Sequence, residues 1–178
     1  MSYLPSLPDA RLLDVFRDFP DAARPLLDFH EALMRGPSPL SVADRELIAA
    51  YVSALNSCGY CHGVHRVTAA EFGLDGDLLS RLVEDPWSDG VDERLGVLLS
   101  YVAKVTTAPS RLIAADADEV YAAGWPEPAL RDAVAITALF NCMNRLVDGL
   151  GITASPDYLA MSGARLHSTG YAGLKDLL

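Results

Sequence analysis

Apolar residues recur along this chain at helical spacing, and the breaks between them carry prolines, glycines and capping side chains. The plainest stripe is Leu95, Leu98, Leu99, Val102 and Val105, one face of a helix that should stop at Ala108-Pro109. Asp9 is read as opening a first short helix that ends near Phe19-Pro20. Asp21 is read as the cap of a second, with Pro25 still in its first turn and Gly36 just past its end. The loop Gly36-Pro37-Ser38-Pro39 leads to Ser41, which opens a third helix with Asp44 three residues on, a variant of the capping box. That helix should run to about Leu55. Asn56-Ser57 breaks it, and the next runs from about Cys58 to Phe72, with Gly73 as its stop. Asp85-Pro86-Trp87-Ser88-Asp89-Gly90 reads as a loop within one domain, because both halves carry apolar faces that need partners. A shorter helix lies within Ser110–Ala123 and closes at Gly124. Pro126 or Pro128 starts a long one ending near Gly149, and Ser155-Pro156-Asp157 opens the last. No segment alternates like a strand. The pattern predicts an all-α bundle of about eight helices, with residues 1–178 as a single domain. Val52–Cys58 lines up faintly with Ile136–Cys142, which raises an internal duplication, with motif helices at about 41–73 and 128–149.

Composition narrows the class. The chain has 178 residues, 51% of them hydrophobic, enough to bury a core without disulfide staples. Its 24 acidic against 14 basic residues give a formal charge of −10, which argues against a nucleic-acid partner. No apolar run reaches the roughly 18 residues of a membrane span, so no membrane partner is expected. The start, MSYLPSLPDA, lacks the cationic-then-apolar pattern of a secretory leader. A cytoplasmic protein is expected. So much apolar content on short helices also predicts a homo-oligomer.

The chemistry concentrates in Glu46 and in Cys58-Gly59-Tyr60-Cys61-His62-Gly63-Val64-His65. Cys58 and Cys61 are i, i+3 and Cys61 and His65 are i, i+4, so one helix face carries all three. Cys58 sits at the helix start, where the dipole favours a thiolate. His65 is placed to move a proton, and Glu46, on the preceding helix, reaches its imidazole if the two helices pack antiparallel. The parts are those of a nucleophile, a partner thiol, a base and an orienting carboxylate. Three other readings use the same residues. Zinc would take the two cysteines and His65 with His62 or Glu46, although a second pair of ligands is missing. Cys58-Gly-Tyr-Cys61-His62 fits the spacing for covalent haem, which normally requires export. A buried, purely structural pair of cysteines is the third.

Glu46, Cys58, Cys61 and His65 resemble, position for position, the active-site signature of the AhpD-like alkylhydroperoxidases, within the carboxymuconolactone decarboxylase superfamily. Phe140–Gly151, and Tyr101–Thr106 followed by Pro109, resemble the branch of uncharacterised peroxidase-related enzymes. The resemblance spans roughly residues 20 to 165. It implies an AhpD-like helical bundle and a thiol-dependent peroxidase, with Glu46, Cys58, Cys61 and His65 as catalytic residues. It also implies a small hydroperoxide substrate, an external lipoyl- or thioredoxin-like dithiol as reductant, and no cofactor or resident metal. Better-studied AhpD proteins carry a histidine between the cysteines; here Tyr60 stands there and His62 follows Cys61. Decarboxylation fits poorly, since that branch does not use a cysteine pair. The helix-start argument makes Cys58 the attacking thiol, whereas the resemblance assigns attack to Cys61 with Cys58 resolving. Cys61 is preferred because His65 lies one turn from it. The alternative function is a non-catalytic redox sensor or zinc-binding module.

The remaining polar and sulfur residues read more plainly. Cys142, on an apolar helix, is expected in the core and dispensable. His30 and His167 are expected to be structural or solvated, and Trp87 and Trp125 to anchor loops. Asn141, Arg145 and Asp148 form a stripe at i, i+4 and i+7, either a solvated face with an Arg145–Asp148 ion pair or a pocket wall.

Overall fold

The computed structural model describes residues 1–75, 78, 81, 82 and 92–178. Among these it is all-α, as the apolar periodicity predicts. The helices are α1 (Leu12–Asp18), α2 (Pro20–Arg35), α3 (Val42–Leu55), α4 (Gly59–Glu71), α5 (Glu93–Thr107), α6 (Ala114–Ala122), α7 (Glu127–Gly149), α8 (Pro156–Thr169) and α9 (Ala172–Lys175), with a 3₁₀ turn at Pro109–Arg111. The loop expected at 85–90, with Trp87, lies outside the described residues.

Local signals set most boundaries. The Ser41 hydroxyl accepts from Asp44 N at 3.0 Å, and Asp44 accepts from Ser41 N at 3.1 Å. Two orphan donors of α3 are thereby satisfied. Gly73 and Gly124 close their helices at φ +93° and +88°, a backbone region that strains any residue with a Cβ. The cap of α1 is Arg11, where Asp14 reaches back to Arg11 N at 3.0 Å. One expected cap moved. In α2, Pro20 takes the first helical position, where no N–H is needed. Asp21 therefore lies in the first turn instead of capping it, and Pro25 lies further inside the helix. The helix opened by Ser155 is followed by one more short one, α9.

The centre of the bundle is α3. Arg45 through Ser53 are all buried, so this helix is covered on every side rather than along one stripe. It packs most heavily on α4 and then on α7. Glu46 meets His65, while His62 Nδ1 donates to the Ala50 carbonyl at 3.1 Å. The pairing therefore runs antiparallel. On its other side α4 meets α8 through two glycines. A Cβ on Gly63 would stand 2.6 Å from Leu159, and one on Gly163 would stand 2.5 Å from Val67. Only a missing side chain permits that approach. Trp125 anchors as expected, its indole N–H donating to the Arg94 carbonyl at 2.8 Å with the Arg94 guanidinium over the ring.

Candidate functional site

The link between α3 and α4 is short and strained. Ser57 adopts φ +59°, and Cys58 N donates back to the Ser53 carbonyl at 2.9 Å. A left-handed non-glycine residue costs on the order of 1–3 kcal/mol and persists only where neighbours impose it. Here an amide chain does so. Asn56 Nδ2 donates to Asn144 Oδ1 at 2.8 Å, and Asn144 Nδ2 donates to Ser53 Oγ at 3.0 Å. The consequence is that Cys58 caps α4 and Cys61 follows one turn on, both buried and unlinked.

The two thiols act on each other. Cys58 is held below the ordinary thiol range, chiefly because the Cys61 thiol donates to it. Cys61 is pushed well above that range, first by the hydrogen bond it gives, then by burial and by repulsion from Cys58. Asn144 partly offsets this by donating to Cys61, while Asp148 opposes charge on both sulfurs. When the pair gives up one proton, the charge therefore settles on Cys58 and the remaining proton on Cys61.

Glu46 is fully buried and divides its carboxylate between two cations. Oε2 accepts from His65 Nδ1 at 2.6 Å, and Oε1 pairs with Arg35 Nη1 at 2.7 Å. Burial alone would push this carboxyl up, but His65 and Arg35 together hold it below its usual range. An ionised Glu46 only accepts, so the His65 proton sits on Nδ1 and leaves Nε2 for proton exchange. Arg35 is itself fixed by donating to the carbonyls of Met34 and Leu166 at 3.0 Å.

Cys61 and His65 line one largely apolar cavity of about 60 Å³, enclosed by α1, α2, α4, α7, α8 and the segment around Tyr171. Cys58 does not line it. That sulfur sits with Cys61 in an apolar cluster that includes Val15, Val147 and Ile152, with Leu4 and Leu7 of the N-terminal segment packed against it. The four sequence-derived residues thus form one neighbourhood: Glu46 on His65, Cys58 on Cys61, and His65 with Cys61 on a shared cavity. The Asn141, Arg145 and Asp148 stripe resolves differently from the expected ion pair. Arg145 donates to the Asn141 carbonyl and Oδ1 at 2.7 and 2.9 Å, and Arg145 and Asp148 line a hollow of about 360 Å³ with Asn56 and Asn144. Cys142 is exposed, not in the core, because it points away from the Phe140–Met143–Val147 face of α7.

Sequence reasoning missed Arg35, Asn144 and Tyr171. Asn144 carried a signal, being a polar residue between Phe140 and Val147 on an apolar face. Arg35 looks like any cation in a last helical turn. His30 is structural, as expected, but it also lines the cavity. Its Nδ1 donates to the Leu26 carbonyl at 2.8 Å and its ring packs between Phe140 and Tyr171. Burial lowers its pKa from 6.5 to about 4. The unfolded chain therefore binds the extra proton between those values, and stability falls as pH drops from 6.5 towards 4. At about pH 5 the cost is on the order of 2 kcal/mol relative to pH 7. Urea midpoints at both pH values should show that loss in the wild type and a smaller one in His30→Gln; equal losses would remove His30 as the cause.

Among the described residues no three His, Cys, Asp or Glu side chains converge as metal ligands, and no helix is long and apolar enough to cross a membrane. Residues 20–84 match the carboxymuconolactone decarboxylase family. None of the curated proteins matches the sequence. The fold is similar to an uncharacterised peroxidase-related protein from Silicibacter sp. TM1040, with TM-score 0.77 and 27% identity over 83% of this chain and 78% of that one. An uncharacterised peroxidase-related protein from Ralstonia eutropha JMP134, described as an alkylhydroperoxidase AhpD core, gives TM-score 0.76 and 25% identity over 84% and 78%. The debrominase Bmp8 gives 0.70 and 20% over 84% and 81%, a likeness of fold alone. The matched segment and the shared helical architecture make the chain similar to the AhpD-like proteins of the carboxymuconolactone decarboxylase superfamily.

Proposed function

We propose that this chain is a thiol-dependent peroxidase in which Cys61 attacks, Cys58 is base and resolving thiol, and Glu46 and His65 serve the leaving group. The observation that carries this reading is that Cys61 and His65 share a cavity while Cys58 sits behind Cys61 in thiol contact. Access and acidity point to different sulfurs, and a proton shift reconciles them. Cys61 gives its proton to the Cys58 thiolate and becomes the thiolate facing the cavity. It attacks the terminal oxygen of a hydroperoxide, ROOH; the S–O bond forms as the O–O bond breaks. The alkoxide leaves as ROH with a proton that His65 Nε2 draws from solvent and passes on, and sulfur is oxidised to sulfenic acid. Cys58 then attacks that sulfenic sulfur, expelling water and forming the Cys58–Cys61 disulfide. An external dithiol of lipoyl or thioredoxin type reduces the disulfide and is oxidised in turn. The chain is read as working as one domain in a homo-oligomer, in the cytoplasm.

The test is hydroperoxide consumption driven by dihydrolipoamide, in a Cys142→Ser background that leaves only the paired thiols. Turnover is expected, and peroxide without reductant should leave one peptide two hydrogens lighter, linking Cys58 to Cys61. Accumulation of sulfinic acid at either cysteine, with no disulfide, would overturn the reading.

A further inference from the structure

The cavity beside Cys61 contains more polar chemistry than the peroxide step uses. Ser162 Oγ, Tyr171 OH and Arg165 Nε are all buried, have no hydrogen-bond partner, and belong to residues that line it. Ser162 and Tyr171 are each only 3% exposed. Buried polar atoms are ordinarily satisfied, and three unpartnered ones around one hollow point to recognition of a polar group there. Arg165 pairs with no carboxylate among the described residues, in a chain where acids outnumber bases 24 to 14.

A neighbouring hollow has the same character. Leu13, Tyr158 and Arg165 also line an outer hollow of about 120 Å³, together with Arg11, Arg17 and Asp14. Three cations face one acid there, and Asp14 already lies 3.6 Å from Arg17 and accepts from Arg11 N. The hollow beside the cavity is therefore locally positive on an acidic protein, which draws in small anions. Ser162 and Arg165 stand at i, i+3 on α8, so a hydroxyl and a guanidinium sit side by side for one group. The rest of the wall is apolar, with Phe16, Leu27, Phe140 and Met143 prominent.

We propose that this cavity binds a small organic acid, its carboxylate held by Arg165 and Ser162 and its hydrocarbon body directed towards Cys61 and His65. Tyr171, whose hydroxyl stays protonated because burial raises its pKa, donates to the inner end of that ligand. The assignment rests on the peroxidase reading only for the nature of the reacting group: the substrate class becomes a hydroperoxide that carries a carboxylate.

Binding separates this proposal from the chemistry. The probes are hexanoate and 1-hexanol, equal in length and inert to thiols, measured by calorimetry and by protection of Cys61 from iodoacetamide. Hexanoate should bind at least tenfold tighter than 1-hexanol, as expected of a charge-assisted hydrogen bond. Arg165→Gln should abolish that preference while 1-hexanol binds as before, and Arg165→Lys should restore part of it. If Arg165→Gln fails to fold, the two probes on the wild type decide alone. Equal affinity for both probes, no binding of either, or a preference that survives Arg165→Gln would overturn the proposal. Turnover of neutral tert-butyl hydroperoxide with no hexanoate preference would sink the anion site and keep the peroxidase. An Arg165-dependent preference with no hydroperoxide turnover would keep the site and remove the peroxidase.

Discussion

Glu46→Gln is expected to slow hydroperoxide turnover by about 10²-fold while leaving the alkylation of the cysteine pair nearly unchanged. The carboxylate holds the His65 proton on Nδ1 at 2.6 Å and supports positive charge on the ring. Without it the imidazole is a poorer and misdirected acid, and general acid–base contributions are worth about 10²–10⁴. Alkylation by iodoacetamide expels iodide, which needs no proton, so it reports on the thiols alone. The sequence suggests that loss of Glu46 would raise the thiol pKa through His65. The structure redirects that expectation, because the largest influences on the pair are the two cysteines themselves, burial, Asn144 and Asp148. The substitution also strips Arg35, a mostly buried guanidinium, of its counter-ion. Breaking a buried pair from one side costs about 3–5 kcal/mol, here towards the low end since Arg35 keeps two carbonyl partners. Stopped-flow alkylation beside peroxide turnover, with near-UV dichroism to confirm the fold, makes the comparison. Equal losses in both reactions would place Glu46 in the thiol chemistry or in stability, not behind the leaving group.

What the sequence revealed was what neighbouring residues decide. The Ser41–Asp44 box, the break at Asn56-Ser57 and the terminal glycines act within one helical turn, and each lies where local chemistry puts it. The Glu46–His65 contact was also legible, because a short link forces α3 and α4 into a hairpin. Two kinds of information were not. Where two signals compete within a turn, as Asp21 with Pro20, the winner depends on backbone geometry that the residue types do not encode. Where a side chain belongs to no motif of its own, as with Arg35 on Glu46 or Tyr171 on the cavity, nothing in its own neighbourhood marks it. Cys142 misled for a third reason. An apolar helix still has an outward face, and this thiol lies on it.

The proposed division of labour between the cysteines predicts opposite behaviour of two variants. Cys61→Ser should retain a low-pKa thiol and lose peroxide reduction entirely. A serine hydroxyl still donates to Cys58, so the interaction that chiefly holds Cys58 below its ordinary range survives. That thiolate lies outside the cavity, under the N-terminal segment, and has no hydroperoxide within reach. Cys58→Ser should behave conversely. Cys61 keeps its place on the cavity but loses the base that takes its proton and the thiol that resolves its sulfenic acid. Its thiolate then forms only at or above ordinary thiol pH, since burial still opposes charge there. At raised pH it should react once with peroxide and stop as a sulfenic acid that dimedone traps at Cys61. Thiolate absorbance in the ultraviolet against pH measures the first property, and mass spectrometry after one equivalent of peroxide measures the second. A Cys61→Ser protein that consumes peroxide, beside a Cys58→Ser protein that does not, would exchange the roles. Attack would then belong to the thiolate at the start of α4, and the N-terminal segment covering it would have to open for substrate to enter.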